Sequence, residues 1–378
     1  MESQLREGIA HARRIVVKVG SSSLASAQGG LNQEAVDHLV DALATRQQSS
    51  EVVLVSSGAI AAGLVPLGLT HRPSDLAQQQ AAAAVGQGVL LSAYATAFAA
   101  RHVVVAQVLL SVGDLARKKR YANALQTFGA LTRLNVIPIV NENDTVATRE
   151  IRFGDNDRLA ALVAELVRAD ALILLSDVDG LYTTNPADPD AELISHVPDL
   201  STLTADVDSP GASGVGTGGM ASKIEAARIA TSAGIPVLLA RWDQVGSALS
   251  AAVGTVFAPS APRLSRRHGW LADASFTTGR LHVDAGAARA LTKTSASLLA
   301  AGIRRVEGDF KAQDPVEVVG PDGTIIARGL VAYSCEELPA MLGRTSSELS
   351  HALGTRFGRE IIHRDDLVLM TRSLRKSE

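Results

Sequence analysis

Lys18 lies in the sequence where an ammonium group needs an anion. It stands in the apolar run "VVKVGSSSL" (16–24), which predicts a buried strand followed by a glycine and three serines. A buried ammonium without a partner is costly, and Gly20 would let a phosphate approach the main chain beside it. We therefore expect Lys18 to point from the strand end toward a phosphate. The alternative is a lysine at a strand edge that reaches out to solvent. The G-x-x-x-x-G-K-[ST] spacing of a Walker A loop does not occur here.

Lys223 closes a second glycine-rich segment, "GVGTGGMASK" (214–223). Gly214, Gly216 and Gly219 match the pattern G-x-G-x-x-G, but a dinucleotide-binding fingerprint must leave a strand directly. The preceding residues, "LTADVDSPGAS", are polar and turn-forming, so the pattern does not indicate NAD binding. Apolar residues after Gly219 predict a helix, and the first amides of a helix attract anions. We interpret the segment as a phosphate-binding loop with Lys223 on the first helical turn. The alternative is a solvent loop with a surface lysine.

A third turn of this kind and a polar cluster follow two more predicted strands. "VSSGAIAAG" (55–63) sets Ser57 between a strand and a helix, as a site for a carboxylate or a phosphate. "NENDTVATREIRFGDND" (141–157) is too polar to be core and follows a strand, as a ligand crevice in an open α/β sheet requires. Its candidate residues are Asn141, Asn143, Asp144, Asp155, Asn156 and Asp157. The alternative is a solvated loop in which Asp155 caps the next helix. A magnesium site on Asp155 and Asp157 is only weakly indicated, because carboxylates rarely hold this ion without phosphates.

The segment "LLSDVDGLYTTNP" (174–186) supplies another strand end. Ser176 and Asp177 lie where a sugar or a base would meet the sheet edge. The alternative is a tight turn around Asp179 and Gly180.

Short apolar runs alternate with amphipathic helical patterns over about the first 250 residues. Such alternation of nearly continuous apolar strands with helices indicates an α/β fold with a doubly wound, largely parallel sheet. One helical pattern starts at the N-cap-type residue Asn32 and extends to Gln47. The candidate strands are Arg14–Val19, Val52–Val55, Val103–Leu110, Val136–Val140, Ala171–Leu175, Pro236–Ala240 and Thr255–Phe257.

The pattern changes near Pro259. "APSAPRLSRRHGWLADAS" reads as a linker, and short β-rich runs follow, with "VVGPDGTII" as a hairpin signal. We predict a catalytic domain over 1–258, a linker over 259–276, a small β-rich domain over 277–356 and a tail over 357–378.

Composition excludes several classes of protein and site. The net charge of −3 gives no global basic field for nucleic acid, and the single cysteine, Cys335, excludes an internal disulfide and a cysteine-cluster zinc site. The N-terminal residues lack the apolar stretch of a signal peptide. The uncharged run Leu76–Ala100 is long enough to span a membrane, but its alanines, glutamines and glycines favour a buried helix pair or an oligomer-facing helix. We expect a soluble, cytoplasmic protein with no membrane association.

Taken together, these motifs resemble the amino acid kinase family. The carriers, in the order of the family, are "VVKVGSSSL", "VSSGAIAAG", "AAVGQ" (83–87), "NENDTVAT", "GDND", "DVDGLYTTNP" and "GTGGMASK". The C-terminal region resembles a PUA domain, a small β-barrel-like module. The resemblance implies the amino acid kinase fold and ATP-dependent phosphorylation of the γ-carboxylate of L-glutamate, with Mg²⁺, a homo-oligomer (dimer or tetramer) and feedback inhibition by L-proline. Ser176 stands where threonine is common, and Val178-Asp179 varies within the "DxxGLY" turn.

The resemblance also implies roles for individual residues. Lys18 and Lys223 contact the transferred phosphoryl group, and Asp157 orients the two lysines. Ser57, Asp144 and Asn156 hold glutamate, and we add Asn141 to that set. The residues implied for the ATP site are Lys18, Gly20, Ser176, Asp177, Thr217, Gly218, Gly219, Met220, Ala221, Ser222 and Lys223. No protein ligand is assigned to a metal.

Two other functions stay open from the sequence. Another member of the family would act on aspartate, acetylglutamate or a nucleotide. The C-terminal module could instead bind RNA through its basic residues, although few aromatic side chains accompany them for stacking bases. We expect a structural or regulatory role for the module. The basic residues are Arg280, Arg289, Arg304, Arg305 and Lys311.

Overall fold

A computed structural model describes residues 2–26, 29–115, 117–146, 155–186, 188–200, 219–260, 277–294, 296–312 and 314–370. The chain divides into two compact units. The first unit comprises Met1–Val112 and Ala124–Leu264, and the second comprises Gly113–Asn123 and Ser265–Glu378.

An eight-stranded sheet forms the centre of the first unit. Its strand order is β3-β4-β2-β1-β5-β9-β10-β8, and all neighbours are parallel except β9 and β10. The predicted largely parallel α/β sheet is therefore confirmed. The strands of the first unit are β1 (Arg14–Val19), β2 (Glu51–Ser56), β3 (Val105–Leu110), β4 (Ile137–Glu142), β5 (Ala171–Ser176), β6 (Leu181–Tyr182), β7 (Leu193–Ile194), β8 (His196–Val197), β9 (Val237–Arg241) and β10 (Thr255–Phe257); β6 and β7 pair separately.

Helices cover both faces of this sheet. Val17 and Val19 of β1 belong to a core cluster that includes residues of α3 and α5, whereas Lys18, between them, contacts Asp157 of α8 on the opposite face. This alternation is the period of two of a strand. The helices that begin in this part of the chain are α1 (Glu2–Ala10), α2 (Ser21–Leu24), α3 (Gln33–Gln47), α4 (Ala59–Leu64), α5 (Leu76–Ala99), α6 (Val112–Leu115), α7 (Lys118–Arg133), α8 (Asp155–Leu166), α9 (Met220–Ser232) and α10 (Val245–Leu249).

The register of the parallel strands brings the candidate residues to one edge. Val19 of β1 lies opposite Ser56 of β2 and Leu175 of β5, so these three strands end level with one another. Val55 of β2 lies opposite Val140, one residue before Asn141. The polar segments after β1, β2, β4 and β5 therefore lie along the same carboxyl edge of the sheet.

The uncharged run from Leu76 forms one long helix, α5. The sequence was also compatible with a pair of helices. By length and composition this helix could cross a membrane, yet 44% of its most apolar window is buried inside the protein. A Cβ on Gly86 of α5 would lie 1.7 Å from the carbonyl oxygen of Ala59, and one on Gly63 of α4 would lie 1.9 Å from that of Ala82. The two backbones touch at these glycines, as in a core helix of a folded protein.

The second unit contains a five-stranded sheet in the order β12-β11-β13-β14-β15. The predicted hairpin is present, since β13 and β14 pair antiparallel on either side of the Pro-Asp-Gly turn. The fifth strand, β15, comes from beyond residue 356, and Ile361 and Ile362 are buried in the same core. The elements are β11 (Gly279–Val283), α11 (Ala285–Thr294), β12 (Ile303–Gly308), β13 (Pro315–Val319), β14 (Ile325–Leu330), α12 (Ser346–Leu353) and β15 (Leu367–Leu369).

Candidate functional site

Lys18, Asp157 and Lys223 form a buried charged group, here called the lysine cluster. The Nζ of Lys18 lies 2.5 Å from Asp157 Oδ1, and the Nζ of Lys223 lies 3.6 Å from Asp157 Oδ2. Three elements supply these residues: β1, the first turn of α8 and the first turn of α9. No more than 7% of any of the three is exposed. Residues more than 200 positions apart in the chain thus share one carboxylate.

The charges of the lysine cluster do not cancel. Two ammonium groups and one carboxylate leave a net charge of +1, with Asp177 as a further negative charge near Lys223. Burial raises the pKa of Asp157, but the positive charges of Lys18 and Lys223 outweigh it and lower that pKa to about 2. Burial lowers the pKa of Lys223. Asp157 is therefore ionised at neutral pH, and the excess positive charge favours a bound anion such as a phosphate.

Ser222 is a partner of Asp157 that the sequence did not reveal. Its hydroxyl oxygen lies 2.7 Å from Asp157 Oδ2 and 2.8 Å from the carbonyl oxygen of Gly219. The single hydroxyl proton goes to the charged carboxylate, which is the stronger acceptor. Sequence analysis placed Ser222 only in a run of nucleotide-binding residues. Its position beside the carboxylate depends on how the starts of α8 and α9 pack, and no local pattern encodes that packing.

Gly20 lies beside the lysine cluster in an extended conformation, with a φ of −78°. A Cβ on Gly20 would lie 3.7 Å from the Nζ of Lys18 and 3.7 Å from the hydroxyl of Ser22, which are ordinary contacts. The protein atoms alone therefore do not require glycine here. A side chain would occupy the space next to the Lys18 ammonium, where we expected a phosphate to approach.

Ser57 lies at the end of β2, next to β1. Its N–H donates to the carbonyl of Val19 at 3.1 Å, which ties the turn to the end of β1. Gly58 follows with a φ of +100°, a left-handed conformation that favours glycine, and caps α4. The turn therefore sets the Ser57 hydroxyl at the same sheet edge as Lys18.

Asn141 and Asn156 meet at one main-chain amide. The N–H of Glu142 donates to Asn141 Oδ1 at 2.9 Å and to Asn156 Oδ1 at 3.3 Å. Because each oxygen accepts from the backbone, both side-chain amides have a fixed orientation. Asn156 and Asp157 are consecutive in the first turn of α8, so this turn joins the end of β4 to the lysine cluster.

Asp144 lies in the short 3-10 turn Asp144–Val146 after β4. Burial raises the pKa of its carboxyl group to about 6, and the positive charge of Arg72 partly offsets this. A half-buried carboxylate of this kind gains from a cationic ligand, because the ligand replaces the solvation that burial removed.

Ser176 and Asp177 lie at the end of β5, at the edge of the site. The Ser176 hydroxyl donates to Asp177 Oδ1 at 2.9 Å, and Ser176 is buried whereas Asp177 is exposed. Gly219, Met220 and Ala221 lie at the start of α9, with Gly219 as its N-cap. Thr217 and Gly218 lie outside the described residues. Among the described residues, no group of three or more His, Cys, Asp or Glu side chains could hold a metal ion.

Comparison with known proteins gives consistent matches over both units. The family model "Amino acid kinase family" matches residues 13–241, and the model "PUA domain" matches residues 279–353. A protein of Salinispora arenicola named glutamate 5-kinase is 56% identical over 369 residues, which are 97% of this chain and 100% of that protein. Proteins of the same name from Streptomyces avermitilis and Streptomyces coelicolor are each 54% identical, over 97% of this chain and 99% and 98% of their own lengths.

Proposed function

The chain belongs to the amino acid kinase family, and from this premise we propose that it phosphorylates the γ-carboxylate of L-glutamate with ATP. The product is L-glutamyl 5-phosphate, and the reaction opens proline biosynthesis. The observation that carries the proposal is the lysine cluster, with a net positive charge at the sheet edge. The names of relatives at 54–56% identity over 97% of the chain support glutamate as the acceptor.

The reaction requires neutralisation of the negative charge on the phosphates and alignment of the two substrates. A carboxylate oxygen of glutamate attacks the γ-phosphorus of ATP, a new O–P bond forms, the bond from phosphorus to the β,γ-bridging oxygen breaks, and ADP leaves with that electron pair. The attacking carboxylate is already ionised at neutral pH, so no general base is needed. What the protein supplies is positioning and compensation of negative charge in the transition state.

We assign the phosphoryl-transfer end of the site to Lys18 and Lys223, with Asp157 holding both. Lys18 and Lys223 contact different oxygens of the Asp157 carboxylate, and Ser222 donates to the oxygen that Lys223 contacts. Mg²⁺, when bound, neutralises phosphate oxygens of the nucleotide. We place the ion on those phosphates, since both oxygens of Asp157 already face Lys18, Lys223 and Ser222.

We assign the amino-acid end to Asp144, Asn156, Asn141 and Ser57. The half-buried Asp144 carboxyl suits the α-ammonium of glutamate, and neutral amide and hydroxyl donors suit its α-carboxylate. Asn156 turns its oxygen to the Glu142 amide, so its nitrogen is the donor that remains for a ligand. The nucleotide then lies along Gly20, Ser176, Asp177 and residues 217–223.

The remaining assignments follow from the family. We propose a cytoplasmic homo-oligomer, dimer or tetramer, that is inhibited by L-proline, with a catalytic domain over 1–258 and a PUA-like module from residue 277. A regulatory or structural role of that module is favoured over RNA binding, because three of its arginines face acidic side chains. Arg280 pairs with Glu317, Arg304 with Asp284 and Arg305 with Glu307, which lowers the charge available to a phosphate backbone.

The test is capture of the acyl phosphate. Purified protein with ATP, Mg²⁺ and L-glutamate is mixed with hydroxylamine, which converts an acyl phosphate to a hydroxamate that is detected as its coloured ferric complex, while ADP release is followed in parallel. We expect hydroxamate with glutamate and much less with aspartate or acetylglutamate. Lys18→Ala should abolish it, and Lys311→Ala, at an exposed lysine of the second unit, should not. Equal or faster turnover of another acceptor would assign the chain to a different member of the family.

A further inference from the structure

Buried polar side chains of helix α5 contact two parts of the proposed amino-acid end. These parts, here called the two walls, are the end of β2 with Ser56 and Ser57 and the end of β4 with Asn141 and Glu142. The sequence motif "AAVGQ" (83–87) lies in this helix and had no role in the chemistry above. Gln87 and Tyr94 lie seven residues apart, two turns along the same face, so they reach the ends of two different strands. Among the residues of α5, these two place hydrogen-bonding groups next to Asn141 and Ser57.

Tyr94 begins a chain of hydroxyl groups that ends at Ser57. The phenol oxygen lies 3.0 Å from Ser56 Oγ, and Ser56 Oγ lies 3.0 Å from the carbonyl oxygen of Ser57. Tyr94 and Ser56 are both fully buried. A carbonyl can only accept, so the single proton of Ser56 goes to Ser57, and Tyr94 must donate to Ser56. Burial raises the pKa of Tyr94, so the phenol keeps the proton that it donates.

This chain fixes the peptide between Ser57 and Gly58. The carbonyl and the N–H of a trans peptide point in opposite directions, so holding the Ser57 carbonyl toward Ser56 turns the Gly58 N–H away from it. That peptide leads directly into α4, which touches α5 at Gly63 and Gly86. Loss of the phenol would free the rotation of the Ser56 hydroxyl and loosen the turn that carries the Ser57 side chain.

Gln87 holds the other wall by separate bonds. Its Nε2 donates to the carbonyl of Glu142 at 3.3 Å, and its Oε1 accepts from Asn141 Nδ2 at 3.4 Å and from Gln107 Nε2 at 3.2 Å. Both sides of the Gln87 amide are therefore used. The bonds set the end of β4, where Asn141 and Asn156 meet.

We propose that Tyr94 and Gln87 are positioning residues for the amino-acid substrate, acting through Ser56–Ser57 and through Asn141–Glu142. The inference rests on the proposed glutamate site. Helix α5 carries no substrate-binding residue of its own in that proposal. We infer that it sets the distance between the two walls. The lysine cluster is held by its own contacts among β1, α8 and α9, none of which involves Tyr94 or Gln87.

The experiment separates the two substrates kinetically. Tyr94→Phe removes one oxygen and keeps the ring in the core, so the glutamate KM should rise about three- to tenfold, the value of one hydrogen bond. The KM for ATP and kcat should stay within about twofold. Ser56→Ala should raise the glutamate KM similarly, and Tyr94→Phe should add little to it because both act in one chain. Ser56→Thr keeps the hydroxyl, so its glutamate KM should equal that of the wild-type protein.

Gln87→Met tests the second wall and should raise the glutamate KM on its own. In the double variant, the fold increases in glutamate KM caused by Gln87→Met and by Tyr94→Phe should multiply, because different bonds hold the two walls. The measurement is again the glutamate KM beside the ATP KM. Full additivity of Tyr94→Phe with Ser56→Ala, or a glutamate KM unchanged in Tyr94→Phe, would overturn the proposal for the hydroxyl chain.

Two control variants identify a merely structural effect. Phe98→Leu, also buried on α5 and in ring contact with Tyr94, should lower the thermal midpoint and leave the glutamate KM unchanged. Tyr333→Phe makes the same chemical change in the second unit and should leave both KM values unchanged. If Phe98→Leu raised the glutamate KM as much as Tyr94→Phe, packing alone would explain the result. If the wild-type protein formed no hydroxamate from glutamate, the proposed function itself would fail.

Discussion

Two buried carboxylates in this protein each face two cations, but they do so in different ways. In the lysine cluster, Asp157 faces Lys18 and Lys223. In the second unit, Glu317 faces Arg280 at 2.9 Å and Arg328 at 3.1 Å, here called the arginine cluster. Both carboxylates are at most 5% exposed at the side chain. The charges are the same, so the difference between the clusters has to come from geometry.

The arginine cluster lies within regular structure. Arg280, Glu317 and Arg328 occupy directly opposed positions of β11, β13 and β14. Cross-strand neighbours of opposite charge stabilise a sheet, and the planar guanidinium of Arg328 points two nitrogens at one carboxylate oxygen. The lysine cluster instead joins a strand to the first turns of two helices, where amides and ammonium groups face the sheet edge. We propose a ligand site at the lysine cluster because of its position in the fold. Burial of the charges alone does not distinguish it from the arginine cluster.

The largest expected effect is loss of turnover in the lysine cluster. Lys223→Ala should reduce kcat about 100- to 1000-fold, the usual consequence of removing one charged donor to a transition state. Glutamate KM should change little, since Lys223 faces the phosphoryl-transfer end. Steady-state kinetics with the hydroxamate assay measures both constants. Normal turnover with a large loss of glutamate affinity would contradict the assigned role.

The arginine cluster should show the opposite result. Arg328→Leu leaves Glu317 with a half-exposed partner, and breaking a buried ion pair costs about 3 kcal/mol of unfolding free energy or more. The thermal midpoint of the second unit should fall by about 10 °C, while kcat per folded molecule stays unchanged. Calorimetry and the same assay measure the two quantities. Arg305→Leu, at a guanidinium that is 69% exposed, is the matched control and should leave the midpoint nearly unchanged.

A third carboxylate, Asp144, should show its role in the pH dependence of glutamate binding. Its pKa of about 6 means that it protonates as the pH falls through 6 and then no longer attracts the α-ammonium. Glutamate KM should therefore rise about tenfold per pH unit below pH 6, whereas Asp157, with a pKa of about 2, stays ionised throughout.

The variant Asp144→Ala tests this assignment. Its glutamate KM should be about tenfold or more above wild type at pH 7.5 and should lose its dependence on pH between 5 and 8, as should that of Asp144→Asn. An unchanged glutamate KM in either variant would remove Asp144 from the ammonium site.

The smallest effect is expected for the outer member of the arginine cluster. The Arg280 side chain is 55% exposed, so solvent screens its pairing with Glu317. Arg280→Ala should lower the unfolding free energy by less than about 1 kcal/mol, measured by urea denaturation. A loss as large as that of Arg328→Leu would show that the two cations contribute equally and would remove the distinction between an inner and an outer arginine.

Local sequence patterns were sufficient for the elements and for several site positions. Apolar runs predicted the main strands of the sheet within about two residues, and Asn32 caps α3 through its side chain as expected. The sequence predicted that Gly20, Ser57, Asn141 and Ser176 each lie at or just after the end of a strand, and the observed register brings those strand ends to one edge of the sheet. The glycine pattern before Lys223 is predicted not to be a dinucleotide fingerprint because the residues in front of it are polar, and residues 201–218 lie outside the described residues.

Other features required contacts between distant segments. No spacing relates Ser222 to Asp157, or Tyr94 to Ser56, since each pair is set by how a helix packs on a strand or on another helix. The fifth strand of the second unit lies beyond the expected boundary at 356. The sequence did not predict it, because the short run Leu367–Leu369 becomes a strand only by pairing with β14.

Side-chain types show which residues can bind a phosphate and an amino acid, and periods of two and 3.6 residues show the order of strands and helices. Both kinds of signal are local. That Lys18 and Lys223 share the carboxylate of Asp157, and that Glu317 lies between two arginines within a sheet, follows from how distant segments pack together. The energy of two charges depends on the distance and the dielectric between them, so what a charge does depends on its neighbours in space rather than on those in the chain.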